Sequence, residues 1–156
     1  MVYLFHELGK IYLYINTILI RKLNILLIVF DFMQVILDSS FIISCVRARI
    51  DFLAQLNEQG FTPVVPREVL QEMKDLRNRS GVSRVDRIAI DVALEMLNDK
   101  KIRKISFGSG KVDDYLIDRG NEGAYIATLD RAIKKLVPHR VVIFSAQGRV
   151  GVEEGS

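Results

Sequence analysis

The sequence predicts an α/β fold built around a parallel sheet. Short apolar segments alternate with segments of helical periodicity from Met33 onward, which is typical of parallel strands joined by right-handed helical crossovers. Acidic residues follow several predicted strands, where the carboxyl ends of parallel strands would bring them to one crevice. A chain of 156 residues can bury one core but leaves little room for a second.

The first half of this domain is predicted to contain two strands and two helices. Residues 35–37 and 63–65 form the strands. Residues 41–57 form one continuous helix, because their apolar side chains are spaced as a single buried stripe and Gly60 ends it. Pro66 lies in the first turn of the next helix, since its fixed φ suits that position. The buried face of this helix carries Val69, Leu70, Met73 and Leu76.

The second half continues the alternation of helices and strands. Residues 77–87 form an exposed, arginine-rich connection between helices. The remaining predicted elements are, in order, a helix at 88–97, a strand at 102–107, a helix at 113–119, a strand at 125–128, a helix at 130–137 and a strand at 141–144. The Gly-Ser-Gly-Lys segment at 108–111 lacks the first glycine and the final hydroxyl residue of a phosphate-binding loop, so we interpret it as a tight turn.

Residues 1–32 differ from the rest in being rich in large apolar side chains. The apolar segment at 11–30 approaches the length of a membrane span. Arg21 and Lys22 interrupt its centre, at a cost of about 2.5–3.5 kcal/mol each on insertion scales, and no signal-peptide cleavage site follows. We therefore predict no membrane partner. We interpret residues 1–32 as a hydrophobic N-terminal extension or a misassigned start, and residues 33–156 as the working domain.

Charge and cysteine content narrow the function classes. The chain has 22 Lys plus Arg against 19 Asp plus Glu, and if several acids gather in one site the remaining surface becomes more positive, which suits a polyanionic partner. An ordinary solvated surface explains the same balance. Cys45 is the only cysteine, so the chain can form no internal disulfide and no cysteine-built metal centre. We expect a reducing cytoplasm as its location, with Cys45 a buried apolar residue rather than a nucleophile.

Four acidic residues are candidates for one site, and three of them occupy junctions between predicted strands and helices. Asp38 and Asp130 follow two strands, Asp113 begins a helix after the glycine turn, and Glu72 lies inside a helix with Glu68 one turn away as its alternative. Asp38 or Asp130 alone is explained more simply as a helix N-cap. Their recurrence at equivalent positions favours a shared site. Carboxylates that converge repel one another unless a hard divalent cation such as Mg²⁺ or Mn²⁺ binds between them.

Four segments together resemble the PIN-domain ribonucleases. They are VILDSSFII at 35–43, PREVLQEM at 66–73, VDDYLI at 112–117 and IATLD at 126–130. The resemblance extends over about residues 33–145. The paired aspartates and the last segment are most similar to the branch that contains small-subunit rRNA-processing nucleases and single-domain archaeal relatives. Toxins of the VapC type share the same acids.

The resemblance implies a three-layer α/β/α PIN-like fold with a central parallel sheet, and residues 33–156 as a nuclease domain. The catalytic and metal-binding residues it implies are Asp38, Glu72, Asp113 and Asp130. The supporting residues it implies are Asp114, Thr128 and Ser39, with Ser40 as the alternative to Ser39 and Asp114 as the alternative to Asp113. Gly120 stands where an apolar helix residue is usual in the family, so the register of the two neighbouring aspartates stays open.

The implied activity is that of a divalent-metal-dependent endoribonuclease with Mg²⁺ or Mn²⁺ as cofactor, in which water attacks the phosphodiester and leaves a 3′-hydroxyl and a 5′-phosphate. Single-stranded or looped RNA is the implied substrate. The candidates for binding its backbone are Arg77, Arg79, Arg84, Lys111 and Lys134. The implied role is rRNA processing with a pre-ribosomal partner or that of a VapC-type toxin with an antitoxin, and both are compatible with a homodimer.

Two other classes of protein share some of these sequence features. A non-catalytic RNA-binding or assembly module would retain the PIN fold without turnover. A phosphoacceptor receiver domain also gathers acids at strand ends, but it requires a pair of acids after the first strand, and Asp38 is followed by Ser39 and Ser40.

Overall fold

The computed structural model describes residues 14–25 and 33–154. The chain divides into two compact units, residues 1–32 and 33–156. In the first unit, residues 14–25 form helix α1, whose side chains are almost all exposed. No helix in the described parts of the chain is long and apolar enough to cross a membrane. The rest of the apolar segment at 11–30 lies outside the described residues, and the interpretation of residues 1–32 as an extension or misassigned start stays a prediction.

A six-stranded sheet forms the centre of the second unit. Its strands are β1 (Gln34–Leu37), β2 (Thr62–Pro66), β3 (Arg103–Ile105), β4 (Tyr125–Ala127), β5 (His139–Phe144) and β6 (Arg149–Glu154). Their order is β3-β2-β1-β4-β5-β6. The first five strands are parallel, and β6 pairs antiparallel with β5. The predicted parallel sheet is confirmed, whereas β6 was not predicted from the sequence.

Helices cover both faces of this sheet. They are α2 (Ser39–Arg47), α3 (Phe52–Glu58), α4 (Arg67–Asn78), α5 (Arg84–Leu97), α6 (Val112–Asn121) and α7 (Arg131–Leu136). Side chains alternate across the pleat of β1, so Val35 and Leu37 pack against α2–α5 on one face, while Ile36 packs against α6 and α7 on the other. All three are fully buried, as expected for a central parallel strand. The predicted three-layer α/β/α arrangement is therefore confirmed.

The predicted single helix at 41–57 is wrong, because the chain turns after α2. Arg49 adopts a left-handed conformation with φ 57°, its N–H donates to Val46 O over 3.0 Å, and Ile50 N–H donates to Cys45 O over 2.9 Å. These two bonds form a Schellman motif, which normally has glycine at the left-handed position. Ile50 is still buried after the turn, so the apolar spacing continued across the break and concealed it.

Two other helix starts differ from the prediction. Pro66 is the last residue of β2 and the N-cap of α4, with extended angles of φ −63° and ψ 137°, so α4 begins one residue later. Helix α5 begins at Arg84 because the Ser83 hydroxyl accepts a hydrogen bond from Asp86 N. The predicted arginine-rich connection at 77–87 is therefore shortened to residues 79–83, and Arg79 is the one arginine in it.

Cys45 lies on α2, where it packs in the core and is fully buried. Burial raises the pKa of its thiol to about 12, so little thiolate forms near neutral pH. Its placement agrees with a structural role rather than a nucleophilic one.

Candidate active site

The strand order reverses direction between β1 and β4, since β2 and β3 extend the sheet on one side of this pair and β5 and β6 on the other. In open α/β sheets, such a switch point leaves a crevice at the carboxyl ends of the two strands. Asp38 follows β1 directly, and Thr128 and Asp130 follow β4. Asp38 N–H donates to Ala127 O over 2.9 Å, which continues the ladder to the mouth of this crevice.

Asp38 is the most firmly held acid of the crevice. Its Oδ1 accepts from Ser39 N at 2.8 Å, which makes it the N-cap of α2. Its Oδ2 accepts from Ser40 Oγ at 2.6 Å and from Thr128 Oγ1 at 2.7 Å. With three donors and only 6% of its surface exposed, the Asp38 side chain has one fixed orientation. Asp38 can therefore cap α2 and belong to the candidate site at the same time.

The hydroxyls of Ser40 and Thr128 connect the two strand ends. Ser40 Oγ accepts from Leu129 N at 3.0 Å, and Thr128 Oγ1 accepts from Asp130 N at 3.1 Å. Asp130 in turn caps α7 by accepting from Ala132 N at 2.6 Å. Because each hydroxyl donates to Asp38 and accepts from the segment after β4, the positions of Asp38 and Asp130 are fixed relative to each other.

Glu72 on α4 and Asp113 in the first turn of α6 lie near enough to Asp38 for its charge to act on both. Partial burial raises the pKa of Glu72, and the negative charges of Asp38 and Asp113 raise it further, against a hydrogen bond with Ser39 and the charge of Arg79. Loss of water likewise raises the pKa of Asp113, followed by the charges of Asp130, Asp38 and Asp114. The charges of the four predicted acids thus act on one another, and their role as one site stays a prediction.

Three alternatives left open by the sequence are distinguished by contacts. Asp113 interacts with Asp38 and Asp130, whereas Asp114 lines a separate cavity beside Tyr115. The Ser40 hydroxyl donates to Asp38 Oδ2, whereas Ser39 reaches Asp38 only through its backbone N–H.

Glu68, the alternative to Glu72, braces a loop instead. It accepts from Ser106 Oγ at 2.5 Å, in the segment after β3. Loss of water would raise its pKa, but hydrogen bonds with Ser106 and with backbone amides that include those of Phe107 and Gly108 outweigh this effect and lower it. Glu68 therefore holds the loop that leads into α6, and Glu72 is the glutamate that faces the other acids.

The five predicted RNA-binding cations have different surroundings. Arg79 lies near Glu72 and lines a cavity of about 340 Å³ with it, and Lys111 lies near Asp113. Arg77 is hydrogen-bonded twice to Asp91. The other two candidates are Arg84, which is exposed at the start of α5, and Lys134, whose Nζ lies 3.6 Å from Glu153 Oε2. Arg79 and Lys111 are thus the two candidates whose charges act on predicted site acids, Glu72 and Asp113.

The donor set fits a hard divalent cation in its chemistry. Carboxylate oxygens are the ligands that Mg²⁺ and Mn²⁺ prefer. Burial is the largest cause of the raised pKa values of Glu72 and Asp113, and repulsion from neighbouring acids, which a cation would relieve, adds to it. Within residues 14–25 and 33–154, however, no three His, Cys, Asp or Glu side chains form a group that could hold a metal ion. The acids therefore interact through their charges without forming a closed ligand shell.

Replacing Glu72 with glutamine is expected to stabilise the protein at pH 7 in EDTA. A carboxylate whose pKa is raised by folding binds more protons in the folded state, so stability falls as pH rises from its ordinary pKa through the raised one. Glutamine carries no such charge. The gain in melting temperature should disappear below about pH 4, where unfolded carboxylates are also protonated.

Thermal unfolding at both pH values in EDTA measures this effect. Glu58→Gln is the matched control, since Glu58 is exposed at the end of α3 and should show no comparable gain. A lower melting temperature for Glu72→Gln at pH 7 would contradict the repulsion among the acids.

Comparison with known proteins identifies the family. A model described as a PIN like domain matches residues 35–149. The chain belongs to the PIN-like domain family. The PIN-like fold is also that of the structure entitled "Structure of the PIN domain endonuclease Utp24", with a TM-score of 0.59 and 21% identity over 78% of this chain and 92% of that chain. No curated protein matches the chain significantly. The family inferred from the four sequence segments is confirmed.

Proposed function

We propose that this PIN-like protein is a divalent-metal-dependent endoribonuclease that hydrolyses phosphodiester bonds in single-stranded or looped RNA. The observation that supports the proposal is the position of Asp38 and Asp130 directly after the two strands of the switch point. The charges of Asp38 and Asp113 act on Glu72, and those of Asp130 and Asp38 act on Asp113. The similarity of the fold to Utp24, a PIN domain endonuclease by its title, supports nuclease chemistry.

The four carboxylates would hold Mg²⁺ or Mn²⁺, which when bound supplies activation of water and stabilisation of charge on the scissile phosphate. The protein's own groups provide the geometry. Ser40 and Thr128 fix the orientation of Asp38, so little reorganisation is needed when substrate enters. Arg79 and Lys111 flank the acids and would bind the phosphates on either side of the cleaved bond.

Water rather than the ribose 2′-hydroxyl is the proposed nucleophile. Its oxygen bonds to phosphorus as the bond to the 3′-oxygen breaks, so the products carry a 3′-hydroxyl and a 5′-phosphate. Cleavage of 5′-labelled single-stranded and stem-loop RNA, with and without divalent ions, tests this reaction. We expect turnover with millimolar or lower Mg²⁺ or Mn²⁺ and none in EDTA. Cleavage in EDTA, or products with 2′,3′-cyclic phosphate ends, would contradict it.

Arg79→Ala is expected to weaken RNA binding in EDTA and to reduce its dependence on salt. Each phosphate contact with a single strand contributes about 0.7 to the slope of log affinity against log salt concentration, because counterions are released. Arg79→Ala should therefore lower the slope by about this amount. Fluorescence anisotropy of labelled RNA over a range of salt concentrations measures the change.

Lys134→Ala is the matched control, because Lys134 lies on α7 beside Glu153. Its slope should remain close to that of the wild type. Equal losses for Arg79→Ala and Lys134→Ala would mean that the RNA path does not pass the side of α4 that carries Glu72.

A non-catalytic RNA-binding or assembly module is the second candidate function. The observation that favours it is the spacing of the described acids, which do not form a closed ligand shell. Such a module would bind RNA equally well in EDTA and would show no cleavage with Mn²⁺. The same assay therefore separates the two candidates.

The cellular role we propose is rRNA processing with a pre-ribosomal partner or the action of a VapC-type toxin held by an antitoxin, in the cytoplasm. A homodimer is compatible with both. A gene for a small DNA-binding antitoxin immediately upstream would favour the toxin, and an isolated gene would favour processing.

A further inference from the structure

Two aromatic rings lie beside the acidic crevice. Phe107 belongs to the loop after β3, and Tyr115 belongs to α6. Their ring centroids are 4.4 Å apart and their planes differ by 15°, so they are stacked face to face. Both side chains are half-buried. Because Glu68 braces the same loop through Ser106, the ring pair forms a platform whose position is fixed before any ligand binds.

A cavity of about 260 Å³ opens at this ring pair. Besides the two rings, its lining includes Lys111, Asp114 and Asp118. Pockets for whole drug-sized ligands usually measure about 300–1,000 Å³, so this cavity suits a smaller, planar group. Aromatic platforms of this kind stack unpaired nucleobases in proteins that bind single strands.

The cavity adjoins the acids through α6. Asp114 lines the cavity, and Asp113, its neighbour in the same first helical turn, faces Asp38 and Asp130. The charge of Lys111 also acts on Asp113. A nucleotide whose phosphate lies at the acids would therefore have its base, or that of the next nucleotide, within reach of the rings.

The acidic side chains that line the cavity bear on which base would fit it. Asp114 and Asp118 are four residues apart on α6, so they lie on the same side of the helix. Ionised carboxylates only accept hydrogen bonds. Guanine presents adjacent N1–H and N2–H donors, which match a carboxylate, whereas uracil presents one N3–H between two carbonyl oxygens that a carboxylate would repel.

We propose that this cavity binds one unpaired guanine base next to the cleaved bond, stacked on the Phe107–Tyr115 pair and hydrogen-bonded to Asp114 or Asp118. The site would give the enzyme a preference for guanine at one position of the substrate. Its placement beside the cleaved bond rests on the proposed function, but binding of the base can be measured without cleavage.

Binding of short RNA to the full-length protein in EDTA tests the site. The probes are a labelled uridine hexamer, the same hexamer with one central guanosine, and the same hexamer with one central adenosine. Fluorescence anisotropy should show that the guanosine hexamer binds more tightly than both other hexamers, and more tightly than the uridine hexamer by on the order of tenfold, the effect of one well-stacked base. Phe107→Leu should remove this difference. Equal binding of the guanosine and adenosine hexamers would overturn the proposed hydrogen bonds to Asp114 or Asp118.

Three further variants locate the effect. Tyr115→Phe keeps the ring and should retain the preference for guanosine. Asp118→Asn replaces an acceptor with a group that also donates, so it should narrow the difference between guanosine and uridine. Phe144→Leu is the matched control, since Phe144 is a half-buried aromatic residue at the end of β5 that contacts Arg149 instead, and it should bind as the wild type does.

Equal binding of the guanosine and uridine hexamers, or a preference unchanged in Phe107→Leu, would overturn the proposal. If Phe107→Leu fails to fold by circular dichroism, the exposed Asp118→Asn decides, and an unchanged preference there would overturn it equally. A guanosine preference in a protein that never cleaves RNA would leave this site standing and end the proposed nuclease function. RNA cleavage by a protein that shows no base preference would leave the proposed nuclease function standing and end the proposed guanine site.

Discussion

Asp38→Asn is expected to lower the rate of RNA cleavage by on the order of a thousandfold while the protein remains folded. Loss of a carboxylate that holds the cation removes several kcal/mol of transition-state stabilisation. The fold should survive because asparagine can still accept from Ser39 N, and the hydroxyls of Ser40 and Thr128 can rotate to accept from its amide. Single-turnover cleavage with Mn²⁺ and a melting curve measure the two effects.

Asp51→Asn is the matched control for this substitution. Asp51 also caps a helix, since its Oδ1 accepts from Ala54 N at 3.0 Å at the start of α3. Asparagine caps helices as well as aspartate does, so this variant should keep both rate and stability. Cleavage at the wild-type rate by Asp38→Asn would mean that Asp38 serves only as the cap of α2.

Gly120→Ala is expected to destabilise the domain by about 1–3 kcal/mol, the usual cost of overpacking a core. A Cβ at this position would lie 2.5 Å from Val137 Cγ1, 2.9 Å from Val137 Cβ and 3.1 Å from Ile126 Cγ1. Alanine favours helix by about 1 kcal/mol over glycine, which offsets part of the clash. Helix α6 thus requires glycine here because it packs unusually close to β4 and to the end of α7.

Denaturant unfolding of a double-mutant cycle with Val137→Ala measures this contact. Removing the Val137 methyl groups relieves the 2.5 Å contact with Cγ1 and leaves the contacts with Val137 Cβ and Ile126. Gly120→Ala should therefore cost less in the Val137→Ala background, with a coupling energy of about 0.5–3 kcal/mol. Additive effects of the two substitutions, or a gain in stability for Gly120→Ala alone, would contradict the close packing of α6.

The sheet and the positions of two acids could be predicted from the sequence because both depend on short-range patterns. A buried apolar strand followed by an aspartate places that side chain at the carboxyl edge, which applies to Asp38 and Asp130. Gly120 was noticed as a departure from the family pattern, and its contact with Val137 and Ile126 explains the departure.

The finer assignments depend on rotation about a helix axis and on contacts distant in sequence. Glu68 and Glu72 share a face of α4, and only the partner of Glu68 in the loop after β3 distinguishes their roles. Asp113 and Asp114 are adjacent, so the turn of about 100° between them decides which one faces the crevice. Neither relation is visible in local sequence.

Two features of the fold, the break between α2 and α3 and strand β6, were not predicted, for different reasons. Arg49 adopts a conformation that usually marks glycine, so the break between α2 and α3 gives no sequence signal. Strand β6 is an edge strand that contains Gly151 and ends in charged residues, and its alternation is too short to distinguish it from a loop. It forms only through its antiparallel register with β5.

The most direct test of the central claim is the position of Mn²⁺ in crystals of the protein, located by anomalous scattering. We predict a Mn²⁺ peak in the crevice at the carboxyl ends of β1 and β4, bound by the carboxylates of Asp38 and Asp113 together with Glu72 or Asp130. Mn²⁺ bound elsewhere, with the crevice empty at a concentration that supports RNA cleavage, would contradict the claim.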